Sequence, residues 1–275
     1  MKVIKKTSKY AFIGAGNMGQ ALIQGARESG IPGVNINISD PSITVRAQCA
    51  SLYKVNTFSD NREACKNADI VVLSVKPKEI SGVLESISPT KKENILYISV
   101  AAGVTLQQLR ESSGENSAII RCMPNTPAIV RSGITALIAN ENVTKPQCID
   151  AENLLGAVGN TVWIENESLM DAITAVSGSG PAYFFMLIEL LEKTAIELGL
   201  PSALANDLAV QTAYGSCKLA RNSSETPKKL RENVTSPNGT TEAALNVFAK
   251  ENIELTVKLA VTAARDRSIE LAKGS

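Results

Sequence analysis

The chain of 275 residues contains no histidine. That absence removes Ser-His-Asp and Cys-His nucleophilic machinery and any histidine-bearing metal site, so a proton that moves during catalysis must be carried by another group. Cysteine is sparse: the five residues, Cys49, Cys65, Cys122, Cys148 and Cys217, include no C-x-x-C spacing and are odd in number. This suits reduced core thiols better than a disulfide framework or a zinc site, and no metal is expected. An excess of either charge is also missing. With 28 basic and 27 acidic side chains the net charge is +1, which offers no broad footprint for nucleic acid or an anionic membrane. The longest apolar run, Ala182 to Ile188, is far shorter than a bilayer span, and Met1 to Tyr10 carries Lys2, Lys5, Lys6 and Lys9 without an apolar stretch of signal-peptide length. Together these absences predict a cytoplasmic protein acting on small molecules, long enough for one large domain or two smaller ones.

What is present begins with glycine. A G-x-G-x-x-G turn at Gly14, Gly16 and Gly19 follows the apolar run Tyr10 to Ile13 and leads into a helical pattern, Met18 to Glu28. The first glycine permits the tight turn, the second lets backbone amides approach a pyrophosphate, the third lets helix pack on strand, and the helix N-terminus favours the anion. The pattern alone also fits a merely tight βα turn. Here a second strand, Val34 to Ile38, ends in Asp40, at the usual distance for a residue that reads the adenosine ribose.

Further strands are predicted at Asp69 to Val75, Asn94 to Val100, Ser117 to Arg121 and Gly133 to Ala139, alternating with helices at Ser42 to Leu52, Asn61 to Lys66, Lys78 to Ser86, Thr105 to Glu111 and Lys145 to Leu155. The alternation predicts βαβ units and a parallel sheet, an α/β Rossmann-type doubly wound domain over residues 1–164. After Trp163 strand signals stop, and residues 165–275 read as an all-helical C-terminal domain. Within it, Pro181 to Leu198 is apolar around nearly its whole circumference, so part of that surface is expected to pack against a second subunit as a dimer; the alternative is the central helix of a monomeric bundle.

Three other segments place polar or rigid groups where packing does not ask for them. Arg121 to Ala128, with two prolines, stiffens a loop at a strand's carboxyl end, where it can wall a nicotinamide or merely connect. Val176 to Tyr183 brings small residues to the start of the apolar helix, a cap and hinge on the plainer reading. Val234 to Leu245 is a hydroxyl-rich turn opening another helix, either an ordinary cap or a pocket for a small carboxylate.

The strings Gly14 to Gly19, Val75-Lys76-Pro77, Ala101-Ala102-Gly103-Val104-Thr105, Met123 to Ala128, Ser177 to Tyr183 and Thr235 to Thr241, with Arg265 to Leu271 downstream, resemble those of the pyrroline-5-carboxylate reductase family from about residue 10 to about residue 272. The resemblance implies NADPH- or NADH-dependent reduction of L-1-pyrroline-5-carboxylate to L-proline, a homodimer with interlocked helical domains, and in many members a ring of dimers. It also implies site roles. Ser236 and the amides of Gly239 and Thr240 hold the substrate carboxylate, Ser179 belongs to the substrate side, and Thr241 is the catalytic residue beside the ring nitrogen. Ala15, Asn17 and Met18 lie under the pyrophosphate; Asn61, Val75, Lys76 and Pro77 line the adenosine end or the cofactor's spine; Ala101, Met123 and Asn125 lie beside the nicotinamide. Asn238 stands where the family commonly has a second glycine, and asparagine's tolerance of left-handed angles is expected to preserve the turn. Asp40 favours the free ribose hydroxyl of NADH, although Ser39, Ser42, Thr44 and Arg46 could receive the extra phosphate of NADPH. The competing readings are a β-hydroxyacid dehydrogenase or another imine reductase, and a non-enzymatic NAD(P)-binding regulator. The dehydrogenases generally carry a catalytic lysine a few residues into the helix after their glycine-rich loop, and Tyr183 to Leu191 has none.

Overall fold

The computed structural model describes residues 7–87 and 94–273; Lys2, Lys5 and Lys6 of the basic N-terminus lie outside the described residues. Compactness divides the chain into two units, residues 1–178 with 264–275, and residues 179–263.

The first unit holds strands β1 (Tyr10–Ile13), β2 (Ile36–Ser39), β3 (Asn56–Phe58), β4 (Ile70–Leu73), β5 (Leu96–Ser99), β6 (Ala118–Met123), β7 (Gly133–Ala139) and β8 (Gly159–Trp163), in the sheet order β3-β2-β1-β4-β5-β6-β7-β8. Strands β1 to β6 run parallel, and the order reverses between β1 and β4. Helices α1 (Asn17–Glu28), α2 (Ile43–Tyr53), α3 (Asn61–Cys65), α4 (Ile80–Ile87), α5 (Leu106–Ser113), α6 (Lys145–Gly156) and α7 (Met170–Ile173) cover it. Central strands are apolar on both faces because helices lie on both. In β1, Tyr10 and Phe12 pack with Leu22 and Ile23 of α1 and with Leu154 and Leu155 of α6, while Ala11 and Ile13 pack with Ile80 and Leu84 of α4 and Leu109 of α5. Hydroxyls start some of the helices: Ser42 caps α2, and Thr105 caps α5 in a reciprocal box with Gln108.

The expected parallel sheet is present through β6; β7 then pairs antiparallel with β6, and β8 follows β7 in parallel. The link from β6 to β7, residues 124–132, holds only the short 3-10 helix Thr126–Val130, too little chain for a parallel crossover. Strands β3 and β8 were not expected. The cap of α3 is Asp60, whose carboxylate accepts from the Arg62 amide at 2.8 Å, and Asn61 is the first helical residue.

Arg121 on β6 is 4% exposed and pairs with Glu167 at 2.6 Å, while the same carboxylate accepts from the Leu106 amide at the start of α5. Removing one partner of a buried pair strands the other charge. Glu167→Ala is expected to lower stability by about 2–3 kcal/mol, below the full value for buried pairs because water reaches the carboxylate, and Arg121→Met with Glu167→Leu should recover most of it in urea unfolding.

The second unit comprises α8 (Gly180–Glu197), α9 (Ser202–Asn222), α10 (Pro227–Asn233), α11 (Thr240–Lys250) and most of α12 (Ile253–Lys273). From Ala264 onward α12 belongs to the first unit, where Ser268 Oγ donates to Asp171 at 2.7 Å and Gln108 Nε2 donates to the Ala272 carbonyl at 3.1 Å. In the single chain α8 leaves Phe184, Phe185, Met186, Leu187, Leu190 and Leu191 between 45% and 63% exposed. Helical backbone runs from Glu167 to Glu197, one helix among the described residues long and apolar enough to cross a membrane, so the expectation of no segment of bilayer length is corrected. The small, uncharged residues before α8 extend the apolar run once the backbone is continuous.

Candidate active site

Four of the segments singled out in the sequence lie at one edge of the sheet, the carboxyl ends of parallel strands: the glycine turn after β1, Val75 to Pro77 after β4, Ala101 after β5 and Met123 at the end of β6. The reversal of strand order between β1 and β4 opens the crevice where ligands of such sheets sit. Gly14 has φ +87°, its amide donates to the Ser39 carbonyl at 2.8 Å, and a Cβ there would stand 2.8 Å from the Ser74 carbonyl. A Cβ on Gly19 would stand 2.6 Å from the Gly14 carbonyl, whereas one on Gly16 meets nothing within 4 Å. Thus two glycines are filled by the protein's own backbone and the middle one faces open space. Helix α1 begins at Asn17 with no side-chain cap and no acidic residue in its first turn, leaving amides directed at that space. This cradle fits a dinucleotide pyrophosphate. Ser74 clamps the turn, donating through Oγ to the Gly14 carbonyl at 2.6 Å and to Ile13 at 3.1 Å, a role with no signal beyond its place before Val75.

Three expected contacts change. The Ala15 amide is committed to Asp40 Oδ2 at 3.0 Å, which leaves the Asn17 and Met18 amides for a pyrophosphate. Ser39 is 1% exposed, so its hydroxyl is buried away from any phosphate. Asn125 does not offer its amide to a ligand: Nδ2 donates to the Ser177 carbonyl at 3.0 Å and Oδ1 accepts from the Ile134 amide at 2.9 Å, tying the proline loop to β7 and to the π-helical turn Thr174–Gly178. Met123 packs against Gly178, and Ala101 is buried at its strand end. Lys76 and Pro77 stand exposed at the edge, and Asn61 is half-buried at the start of α3.

The Ser177 to Pro181 stretch is not a cap. Backbone passes from α7 through the π-turn into α8, with Ser179 in right-handed helical geometry and no side-chain capping bond, and Pro181 sits in the first turn of α8.

In the second unit, Ser236 to Thr241 forms a tight exposed bend leading into α11. Asn238 adopts φ +57°, the left-handed angle expected of it. The Gly239 amide, assigned above to a carboxylate, donates to the Ser236 carbonyl at 3.0 Å and closes the bend, so Thr240 and Thr241 supply the open amides at the helix start. Glu242, not singled out in the sequence, accepts from the Asn238 amide at 2.8 Å and braces the bend from within the first turn. Its position three residues after the Gly239 cap is that of the carboxylate in a capping box, a signal the sequence did contain.

The expectation of core thiols holds for three of the five cysteines, whereas Cys148 is half-buried and Cys217 exposed. Cys49, Cys65 and Cys122 are buried free thiols; burial pushes Cys65 up to about 12 and Cys122 further in the same direction, leaving both protonated and unreactive. No group of metal-ligating side chains occurs among the described residues.

Known proteins resemble the chain over its whole length. The model for pyrroline-5-carboxylate reductase dimerisation matches residues 167–271, and that for NADP oxidoreductase coenzyme F420-dependent matches residues 9–103. A pyrroline-5-carboxylate reductase of Pseudomonas aeruginosa is 45% identical over 267 residues, covering 97% of this chain and 98% of that one. The structure of a pyrroline-5-carboxylate reductase from Coxiella burnetii superposes with a TM-score of 0.91 at 40% identity, covering 97% of this chain and 99% of that one. The Plasmodium falciparum pyrroline carboxylate reductase with NADP bound superposes with a TM-score of 0.87 at 32% identity, with 97% and 99% covered. Given a cofactor cradle at the switch point, a helical unit with a hydroxyl-rich bend at the start of α11, and this likeness over 97% of its length, the chain belongs to the pyrroline-5-carboxylate reductase family.

Proposed function

We propose that the protein reduces L-1-pyrroline-5-carboxylate to L-proline with NADH or NADPH, the last step of proline synthesis. The observation that carries the reading is the alignment of the glycine turn, Val75, Ala101 and Met123 along one carboxyl edge, in a chain related end to end to reductases of this substrate. The bound reduced nicotinamide supplies a hydride, which adds to the imine carbon while the ring nitrogen carries a proton, giving the secondary amine and the oxidised cofactor. Protonated imines accept hydride readily, so a chain without histidine suffices if it aligns the partners, anchors the acid group and excludes water. Ser236 and the open amides of Thr240 and Thr241 hold the carboxylate; the Thr241 hydroxyl lies beside the ring nitrogen, orienting it or relaying to it a proton taken up from solvent in the same step; Ser179 lines the substrate side.

The working form is a homodimer joined through the helical units, assembled further into a ring of dimers, in the cytoplasm. The exposed apolar side chains of α8 fall within the region that matches the dimerisation model, which supports a second subunit as their cover, and the balanced charge supports a small-molecule enzyme with no nucleic-acid partner. A β-hydroxyacid dehydrogenase is disfavoured because Tyr183 to Leu191, now seen within α8, has no lysine and Lys193 lies further along.

Spectrophotometry tests the reading: pyrroline-5-carboxylate should drive oxidation of the reduced cofactor, and binding without oxidation would instead favour a regulator. Thr241→Ala is expected to lower kcat about 100-fold, the low end for a lost proton-transfer group, while leaving the cofactor Kd unchanged. An unchanged rate at saturating substrate would remove Thr241 from the mechanism.

A further inference from the structure

We infer that Asp40 makes this enzyme selective for NADH over NADPH. The inference rests on the cofactor cradle proposed above and adds which adenosine ribose that cradle accepts.

Asp40 follows the last residue of β2, beside the glycine turn that hydrogen-bonds to Ser39. Its carboxylate does not swing freely: Oδ2 accepts from the Ala15 amide at 3.0 Å and Oδ1 from the Ser42 amide at 2.9 Å. Two main-chain donors, one from the glycine turn after β1 and one from the loop after β2, therefore fix the orientation of a negative charge at the position where a dinucleotide fold meets the ribose. A ribose hydroxyl can donate to that carboxylate. A ribose phosphate carries only acceptors and a charge of the same sign, and meets repulsion that the rigid anchoring prevents Asp40 from relieving by rotation.

The neighbouring groups do not neutralise that carboxylate. Among the described residues no cation forms an ion pair with Asp40. Arg46 is the basic side chain at hand, and its Nη1 is held by main-chain carbonyls, that of Asp40 at 2.6 Å and that of Pro41 at 2.9 Å, along the same short loop. Ser39 is buried, while the Ser42 hydroxyl, which accepts from the Val45 amide as the cap of α2, keeps its own proton, and with Thr44 makes two exposed neutral hydroxyls that leave the Asp40 charge in place. A relative with NADP bound shows that the family fold itself does not forbid the phosphate. The choice therefore lies in this loop.

The test is equilibrium titration of NADH and of NADPH, followed by cofactor fluorescence without substrate, on wild type and Asp40→Asn, alongside kcat/KM for each cofactor with pyrroline-5-carboxylate. Wild type should bind NADH at least about 30-fold more tightly than NADPH, the size expected of one unrelieved like-charge contact. Asp40→Asn keeps a side-chain oxygen for the Ala15 amide and removes the charge; it should bring the two affinities within about threefold, chiefly by tightening NADPH. A merely structural role would weaken both cofactors alike. Wild type binding NADPH as tightly as NADH, or parallel losses in Asp40→Asn, would overturn the inference, and the wild-type comparison decides it even where the variant fails to fold. Turnover with a preference for NADPH sinks this inference alone; absence of both binding and turnover sinks the functional reading with it.

Discussion

Gly14→Ala and Gly16→Ala are expected to fail in different ways, although both lie in one turn and add one methyl. At Gly14 the new Cβ lands 2.8 Å from the Ser74 carbonyl and 2.9 Å from Val75 Cγ1, and φ +87° is strained for any residue with a side chain. A left-handed angle costs roughly 1–2 kcal/mol and overpacking about 1–3 kcal/mol more, so the variant should lose about 3–4 kcal/mol of stability. At about 2–4 °C per kcal/mol its Tm falls by roughly 10 °C, and with the turn displaced its cofactor affinity falls as well. At Gly16 the Cβ meets no protein atom within 4 Å, so stability should stay within about 0.5 kcal/mol of wild type. The methyl instead fills the space left for the pyrophosphate, and NADH affinity should drop more than about 100-fold, because close backbone approach is what the second glycine permits. Thermal unfolding and cofactor titration of the pair separate the two effects. A Gly16→Ala protein that binds NADH normally would mean the pyrophosphate lies elsewhere.

The glycine turn was legible because strand, turn and helix are contiguous and Gly19 answers to the Gly14 carbonyl five residues back, although the atoms that forbid a side chain at Gly14 itself, in Ser74 and Val75, come from the far-off end of β4. The same holds for Ser42, Thr105 and Asn238, whose short-range capping and left-handed preferences the structure reproduces. What the sequence concealed is non-local or weakly patterned. Strand β3 has only three residues, two of them Asn56 and Thr57, and earns its place by pairing with β2 at the sheet edge. Strand β8 opens on Gly159 and Asn160 and is only half-buried, so it lacks the continuous apolar run that marks the central strands. The reversal at β7 was readable in the brevity of residues 124–132, but the alternation of elements overrode it. At the site, Asn125 looks polar and free in a proline loop, yet its amide bridges Ser177 and Ile134, residues 52 and 9 positions away. The Ser268–Asp171 bond spans 97 positions and left no periodic trace. Side-chain type gave the chemistry available; only the fold shows which polar groups the protein had already claimed for itself.

Leu187→Glu combined with Leu191→Glu is expected to convert the protein into an inactive monomer. Both side chains are 45–47% exposed in the single chain and belong to the same apolar helix as Phe184, Phe185, Met186 and Leu190, within the region matching the dimerisation model. Full burial of one large apolar side chain contributes about 1.5–3 kcal/mol, so completing the burial of these six supplies several kcal/mol toward association. Two carboxylates placed there must be desolvated without partners, which reverses the sign of the contact. Leu187 and Leu191 are one helical turn apart, so the two charges fall on one patch, and as the exposed side of α8 is altered, the folded chain itself should persist. Sedimentation should show one species at the monomer mass, with helical circular dichroism retained and turnover abolished. NADH binding should survive, since the glycine turn, Asp40 and Val75 all lie in the first unit and Asp40 and Ser74 brace the turn from within it. An active monomer would assign the α8 surface to something other than a second copy of the chain, and loss of NADH binding together with dimerisation would mean that the nucleotide unit depends on the assembly for its own fold.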